Sequence, residues 1–498
     1  MEVLKQGIPK TRRVYRYHAL GPTVAMGIHN NSLQNLRRGI LERVFFVEVD
    51  GELREPPRPR AGVFSGRLQA VGLRLRRMLP TVTPWGHDQV VDSYTGHRKQ
   101  IYTRAAESLR TKALCKQDAY LKTFVKAEKV NFEAKGDPAP RVIQPRDARY
   151  ILESARFLKH LEHTIYGALG QLWGGDTVMK GKTPYGVARA LREKWDKRTA
   201  PVAVGLDASR FDQHVSVDAL HWEHGIYLSC YKGGDRKELA KLLRWQIYQR
   251  GYARASDGLI KYKVNGCRGS GDINTALGNC LLMCAMVKAY CEEHGIDADL
   301  ANNGDDCVLV MEAEQLPLLA PLKAWFKDMG FTMKVEDPVF EFEHIEFCQG
   351  HPVWTPEGWI MVRNLRTALA KDCLSLLDVR HHARDVFAAV GSCGLAIAGG
   401  LPVFNEFYER LRVLGVDGAR KLDVANDRWF DSSGFSRMAK GMARCYSEVD
   451  PRTRYSFWRA FGVTPDAQYA LEQYYKHVSF DMTVRDDPGL SEYPNLVP

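Results

Sequence analysis

The chain has 498 residues, 45% of them hydrophobic and 26% charged, which supplies a large core and excludes disorder on the scale of the whole chain. Lys and Arg number 70 against 59 acids, a formal net charge of +11 with a pI near 9.0, a balance that favours a polyanionic partner such as nucleic acid or an anionic surface. The 11 cysteines include no C-x-x-C pair, which argues against a zinc ribbon or a secreted disulfide framework and fits reduced thiols in a cytosolic setting.

The start, Met1 to Arg13, is polar and basic and is no secretory signal. No apolar run reaches about 18 residues, so no transmembrane helix is expected. Arg54 to Pro59 reads as a stiff proline-rich connector after an N-terminal lobe. Leu73 to Leu79 carries Arg74, Arg76 and Arg77 among apolar residues, a helix whose basic side either touches RNA or is simply solvated. Lys122 to Arg149 is dense in base (Lys122, Lys126, Lys129, Lys135, Arg141, Arg146, Arg149) and broken by Pro138, Pro140 and Pro145, so a loop or edge hairpin is expected. Tyr150 to Leu172 reads as helix.

Val202 to Leu206 is a short apolar run ending at Asp207, a buried strand with a carboxylate at its tip. A glycine-rich loop, Gly266 to Gly271, leads into a long helix, Asn274 to His294. Its cysteines Cys280, Cys284 and Cys291 read as small core residues rather than metal ligands. Leu300 to Met311 holds two β-prone arms around Asn302-Asn303-Gly304-Asp305, a hairpin signal. Phe331 to Val335 and Glu346 to Gln349 read as further strands, and the chain beyond about Gly350 as mostly helical.

Phosphoryl transfer to a growing strand uses two divalent ions, which carboxylates from separate segments can gather. Asp207, with Asp212 five residues on, offers one segment, and Gly304-Asp305-Asp306 the other. Gly-Asp-Asp alone is weak, since roughly one chain in ten of this length contains it by chance, and either acidic site alone reads equally as a turn or helix cap. Order and company make the signal. Asp-x4-Asp precedes Ser-Gly-x3-Thr-x3-Asn, which precedes Gly-Asp-Asp, with the basic stretch upstream and Met333-Lys334-Val335-Glu336 downstream.

Six stretches carry a resemblance: Phe-Val-Lys-Ala-Glu-Lys from Phe124, Pro-Arg-Val-Ile-Gln-Pro-Arg from Pro140, Gly-Leu-Asp-Ala-Ser-Arg-Phe-Asp-Gln-His from Gly205, Gly-Ser-Gly-Asp-Ile-Asn-Thr-Ala-Leu-Gly-Asn from Gly269, Asn-Gly-Asp-Asp-Cys from Asn303 and Glu-Phe-Cys-Gln from Glu346. With these the chain resembles the RNA-directed RNA polymerases of the tombusvirus family and its umbravirus relatives, positive-strand RNA plant viruses. The resemblance runs from about Gly7 to about Asp372 and is weaker beyond.

The resemblance implies an α+β right-hand polymerase fold with fingers, a palm of antiparallel sheet and helices, and a mostly helical thumb. Residues 1–200 are then the N-terminal region and fingers, 201–221 the first part of the palm, 222–265 a fingers insertion, 266–349 the rest of the palm and 350–498 the thumb. It assigns Asp207, Asp305 and Asp306 to two Mg²⁺ or Mn²⁺ ions. Lys334 becomes the proton donor to leaving pyrophosphate, a role a lysine fills without a large pKa shift. Asp212, Ser270, Thr275 and Asn279 become the readers of the 2′-hydroxyl, and Lys126, Lys129, Arg141 and Arg146 the holders of the NTP phosphates. Phe347, Cys348 and Gln349 become a brace for the nascent strand. Implied partners are RNA template and product, NTPs, a viral auxiliary replication protein and host factors, around a monomeric core. The implied place is the host cytoplasm, at membrane-bound replication sites reached through a partner or an N-terminal part outside this sequence.

Near the end, Tyr446, Tyr455, Phe457, Trp458 and Phe461 with Arg452, Arg454 and Arg459 read as core packing ahead of a base-stacking platform. The pairs His381-His382 and His221…His224 complete no metal-ligand spacing. Two rivals remain. A reverse transcriptase shares the catalytic logic but blocks the 2′-hydroxyl that Asp212 invites, and an inert RNA-binding scaffold has no need of the full acidic set.

Overall fold

The computed structural model describes residues 1–17, 26–376, 378, 381, 383–416, 435–478 and 484–486. The strands used below are β1 (Glu2–Lys5), β2 (Leu121–Val125), β3 (Val142–Ile143), β4 (Pro201–Ala208), β5 (Tyr248–Ala255), β6 (Gly258–Asn265), β7 (Ala298–Asn303), β8 (Asp306–Glu312), β9 (Met333–Val335), β10 (Gly350–Thr355) and β11 (Gly358–Arg363). The helices are α1 (Pro184–Asp196), α2 (Val217–Ser229), α3 (Thr275–Glu293), α4 (Leu365–Asp372), α5 (Ala383–Ala398), α6 (Phe404–Val416), α7 (Pro451–Phe461) and α8 (Pro465–His477).

A four-stranded antiparallel sheet runs in the order β7-β8-β4-β9. Side chains alternate faces along a strand, and here both faces are covered. Val202, Val204, Leu206 and Ala208 of β4, with Cys307, Leu309 and Met311 of β8, enter one core beneath α3. Ala203, Val308 and Val310 enter a second core with Leu191 and Trp195 of α1 and with Phe347. Burial on both sides is why β4 reads as an unbroken apolar run. Helix α3 is buried nearly all round, with Cys280, Cys284 and Cys291 as free buried thiols, as its sequence implies.

A second sheet runs β1-β6-β5-β2-β3. The basic, proline-broken stretch supplies its edge: β3 pairs antiparallel with β2, with Lys122 on β2, Lys126, Lys129, Lys135 and Arg141 on the connection between them, and Arg146 and Arg149 beyond β3. The N-terminal residues do not form a separate lobe, contrary to the expectation drawn from the proline connector. Glu2–Lys5 is an edge strand on β6, Tyr15–Tyr17 pairs with Leu374–Ser375, and Leu36 and Ile40 share a core with Leu121, Val125 and Ile260. Leu36 and Ile40 thus bury their apolar sides against later parts of the chain, while the edge strand Glu2–Lys5 stays exposed.

Other expectations shift in detail. Tyr150–Leu172 divides into helices Ala148–Leu158 and Leu161–Trp173. Glu346–Gln349 is a turn rather than a strand, and the region past Gly350 opens with the β10–β11 hairpin before its helices. There α5 and α6 lie nearly in contact: a Cβ on Gly391 would meet the backbone of Arg412, and one on Gly415 the backbone of Ala388. In the aromatic-basic stretch, Phe457 is fully buried and Arg454 pairs with Glu472 at 2.9 Å, so packing accounts for these two. Tyr446, Tyr455 and Trp458 stay at the surface. His382 lies outside the described residues, as do parts of 350–498. Among the described residues no helix is long and apolar enough to cross a membrane.

Candidate active site

Strand register assembles the site. In the antiparallel ladder Asp207 of β4 stands directly opposite Asp306 of β8 on one side and Lys334 of β9 on the other. Directly opposed residues point to the same face, so two carboxylates and an ammonium line up across three strands. Asp305 sits in the two-residue turn joining β7 to β8, where Gly304 takes φ 79° and Asp305 stays out of the left-handed region. That is the pattern of a II′ turn, whose first central position favours glycine. The Asn302 amide donates to the Gly304 carbonyl at 2.7 Å and steadies the turn.

A second turn faces the first. Phe347 and Gly350 exchange backbone hydrogen bonds of 2.9 and 3.0 Å across Cys348 and Gln349. Both central residues are left-handed, with φ 52° and 62°, the geometry of a I′ turn built without glycine. Each such residue costs about 1–2 kcal/mol, so the surroundings must hold the turn. One such hold is visible: the Cys348 N–H donates to Asp306 Oδ2 at 2.8 Å. The expected brace segment is thereby tied to the acidic hairpin.

The carboxylates carry the mark of crowding. Burial pushes Asp306 up to about 6; the Cys348 hydrogen bond opposes this, and the charges of Asp305 and Asp207 add to it. Asp305 is raised by burial and by Asp207, with Arg141 opposing. Among the described residues no group of three or more His, Cys, Asp or Glu side chains is gathered to hold a metal ion alone. Magnesium does not require one: it keeps several waters and binds through one or two carboxylates plus substrate phosphates. An all-oxygen donor set in which Asp305 and Asp306 are raised by burial and by neighbouring carboxylates fits such a cation, which would relieve the repulsion.

Asp212 and Asn279 meet as expected, the Asn279 amide donating to Asp212 Oδ1 at 2.8 Å. Burial raises the Asp212 carboxyl, with Asn279 and Arg268 opposing. Ser270 and Thr275 do not join them. The Ser270 hydroxyl donates to the Val142 carbonyl at 3.0 Å, and that of Thr275 to the carbonyls of Gly269 and Asp272. Both hold the loop backbone that leads into α3.

The four basic residues separate. Arg141 keeps 56% of its side chain exposed, pairs loosely with Glu128 at 3.3 Å, and its charge reaches Asp212 and Asp305. Lys126 shares Glu128 at 2.7 Å. Lys129 turns away: its ammonium donates to the Lys371 carbonyl beside Asp372, and burial lowers it to about 8. Arg146 is fully buried, paired with Asp272 and bonded to Gln249. Neither Lys129 nor Arg146 is placed to hold phosphate, because each already serves a buried polar group that would be left unpaired. Lys334 is 64% exposed, near Glu336 at 3.7 Å. A cavity of about 350 Å³ lies beside the site, lined among others by Gly205, Lys334, Glu336, Asp337 and Glu346, but not by Asp207, Asp305 or Asp306.

Sequence reasoning missed Arg268 and Glu223, a fully buried ion pair one step behind Asn279. The signal was present: on α2, Glu223 sits between Leu220 and Tyr227 at helical spacing, a charge on an apolar stripe.

A model of the viral RNA-dependent RNA polymerase family matches residues 1–483. The chain belongs to this family. It is 46% identical over 478 residues to the RNA-directed RNA polymerase of Turnip crinkle virus, covering 94% of this chain and 60% of that protein. To that of Tobacco necrosis virus (strain A) it is 46% identical over 482 residues, 95% of this chain and 65% of that protein. To that of Cymbidium ringspot virus it is 43% identical over 486 residues, 96% and 58%. The chain thus spans about three fifths of the length of such curated relatives. The plant-virus relationship read from the motifs stands, and the family match extends through the C-terminal helices where motif resemblance had faded.

Proposed function

We propose that this chain is the catalytic core of a viral RNA-directed RNA polymerase, replicating a positive-strand RNA genome. The observation that carries the reading is the register that sets Asp306, Asp207 and Lys334 side by side, with Asp305 at the adjoining turn. In this reading the four-stranded sheet with α3 is the palm, the five-stranded sheet belongs to the fingers, and the helices after β11 form the thumb.

Asp207, Asp305 and Asp306 would hold two magnesium or manganese ions, which when bound activate the attacking oxygen and stabilise the leaving one. The 3′-hydroxyl of the nascent strand loses its proton to solvent water as its oxygen attacks the α-phosphorus, and the bond to pyrophosphate breaks. Lys334, on the same face as Asp207, supplies a proton to the departing oxygen. Arg141 and Lys126 orient the triphosphate; a guanidinium suits bidentate phosphate contact. Asp212, with one oxygen taken by Asn279, turns the other to the 2′-hydroxyl. A site built to bond a hydroxyl rejects the analogue without it, because its own groups are left unpaired.

The test is primer extension by this chain on an RNA template with NTPs or dNTPs and Mg²⁺ or Mn²⁺. RNA product from NTPs is expected, and efficient dNTP incorporation would instead favour a reverse transcriptase. Arg141→Ala is expected to raise KM for NTP about tenfold or more with melting unchanged, the pattern of lost substrate binding at an exposed site. Template affinity should fall steeply with salt, since contacts to phosphates release counterions; a flat profile in a filter-binding titration would remove the basic channel.

A further inference from the structure

Glu223 is wholly buried, on a helix face otherwise apolar. Arg268 stands opposite it, 2% exposed. One guanidinium nitrogen donates to Glu223 Oε1 at 2.9 Å and the other to Oε2, and the Tyr227 hydroxyl donates to Oε1 at 2.8 Å. Burial works against the Arg268 charge, but the facing carboxylate outweighs it and keeps the guanidinium protonated. Room is made by Gly278 on α3, where any Cβ would strike both partners. A buried pair of this kind is weak evidence for stability, because apolar residues of similar volume commonly serve as well. Its chemistry points elsewhere.

The third guanidinium nitrogen of Arg268, Nε, donates to Asn279 Oδ1 at 3.0 Å, and Asn279 Nδ2 donates to Asp212 Oδ1 at 2.8 Å. An arginine only donates and an ionised carboxylate only accepts. Asn279 between them has one satisfied orientation, carbonyl toward Arg268 and NH₂ toward Asp212. The Arg268 backbone N–H also donates to the Asp212 carbonyl at 2.7 Å, fixing the backbone beneath the carboxylate. Without Arg268 the amide keeps its attraction to Asp212 but loses its anchor, and is free to swing toward water or the nucleotide.

We propose that the buried Arg268–Glu223 pair is the positioning element of ribose selection: it locks Asn279, and through it Asp212, so that one carboxylate oxygen is presented to the 2′-hydroxyl of the incoming nucleotide. This rests on the reading of Asp212 as the ribose contact. Neither Arg268 nor Glu223 touches the nucleotide; both act through Asn279.

The experiment measures kcat/KM for an NTP and its dNTP, with melting curves, for wild type, Asp212→Ala, Gly278→Ala and the double variant Glu223→Leu/Arg268→Met. The double variant removes both charges together, so it leaves no charge unpaired; the buried Tyr227 hydroxyl loses its acceptor, and the melting temperature is expected to fall modestly while the protein stays folded. Its NTP-over-dNTP ratio is expected to fall about tenfold, the scale of one lost charge-assisted hydrogen bond. Gly278→Ala keeps both charges but crowds them apart, and is expected to lower the ratio in the same direction. A wild-type ratio in either folded variant, beside a lowered ratio in Asp212→Ala, overturns the inference alone. An unchanged ratio in Asp212→Ala overturns the ribose reading beneath it.

Discussion

Asp305→Ala is expected to cut nucleotide incorporation by about a thousandfold or more while leaving the fold and template binding intact. The magnitude follows from what one metal-holding carboxylate supplies: a loss of about 4 kcal/mol of transition-state stabilisation is a factor near 10³. The choice of residue matters. Asp306 accepts the Cys348 N–H and supports a strained turn, so its loss would mix catalytic and structural effects. Asp305 sits at the hairpin tip, where its side chain reaches solvent at the mouth of the site although the neighbouring chain partly desolvates its carboxyl, and among the described residues it accepts no such bond from another segment. Surface substitutions of this kind change stability by roughly 0.5 kcal/mol or less. In the proposed reading template binding runs through phosphate contacts of basic residues, which an aspartate does not make. Primer extension, filter binding and a melting curve on one preparation separate the three quantities. Near-normal incorporation by the variant would falsify the catalytic assignment, and lost template binding alongside lost activity would point to an RNA-binding role instead.

What the sequence made legible was governed by local rules. The apolar run ending at Asp207, the Gly304 turn and the mostly apolar α3 each follow from period, turn chemistry and burial, and the structure forms all three. That Asp207 and Asp306 come together depended on register, which no local rule states, but the family resemblance implied it. The same resemblance placed Asn279, Ser270 and Thr275 with Asp212, and only Asn279 bonds it. The basic residues fared worse. Lys126, Lys129, Arg141 and Arg146 look alike in sequence, yet which ones are spent on buried carbonyls and carboxylates depends on segments over a hundred residues away, Lys371 for Lys129 and Asp272 for Arg146. The N-terminal region misled for a related reason: a proline connector signals stiffness, but not that the segments before it complete sheets formed by residues 258–265 and 374–375. Tertiary pairing decided these cases, and composition carries no record of it.

Arg146 provides the second large effect, opposite in kind to Arg141 only five residues away. Its guanidinium has no exposed surface, pairs with Asp272, bonds Gln249 Oε1 at 2.6 Å, and reaches the carbonyls of Ala119 and Trp245. It also lies 5.3 Å over the Tyr150 ring. Removing one partner of a buried pair costs about 3–5 kcal/mol, because the other charge stays buried and unpaired. Arg146→Ala is therefore expected to lose stability on that scale, read from urea denaturation as a lowered midpoint. Asp272 stands in the loop that holds Ser270 and leads to Thr275, and Gly271 in that loop approaches Pro145 so closely that any Cβ would strike its backbone. Arg146 thus clamps the loop to the basic edge hairpin from within. Activity should fall with the population of folded protein, and KM for NTP in the folded fraction should change little. A variant that melts like wild type but binds NTP poorly would reverse the assignment and return Arg146 to the phosphate-binding set beside Arg141.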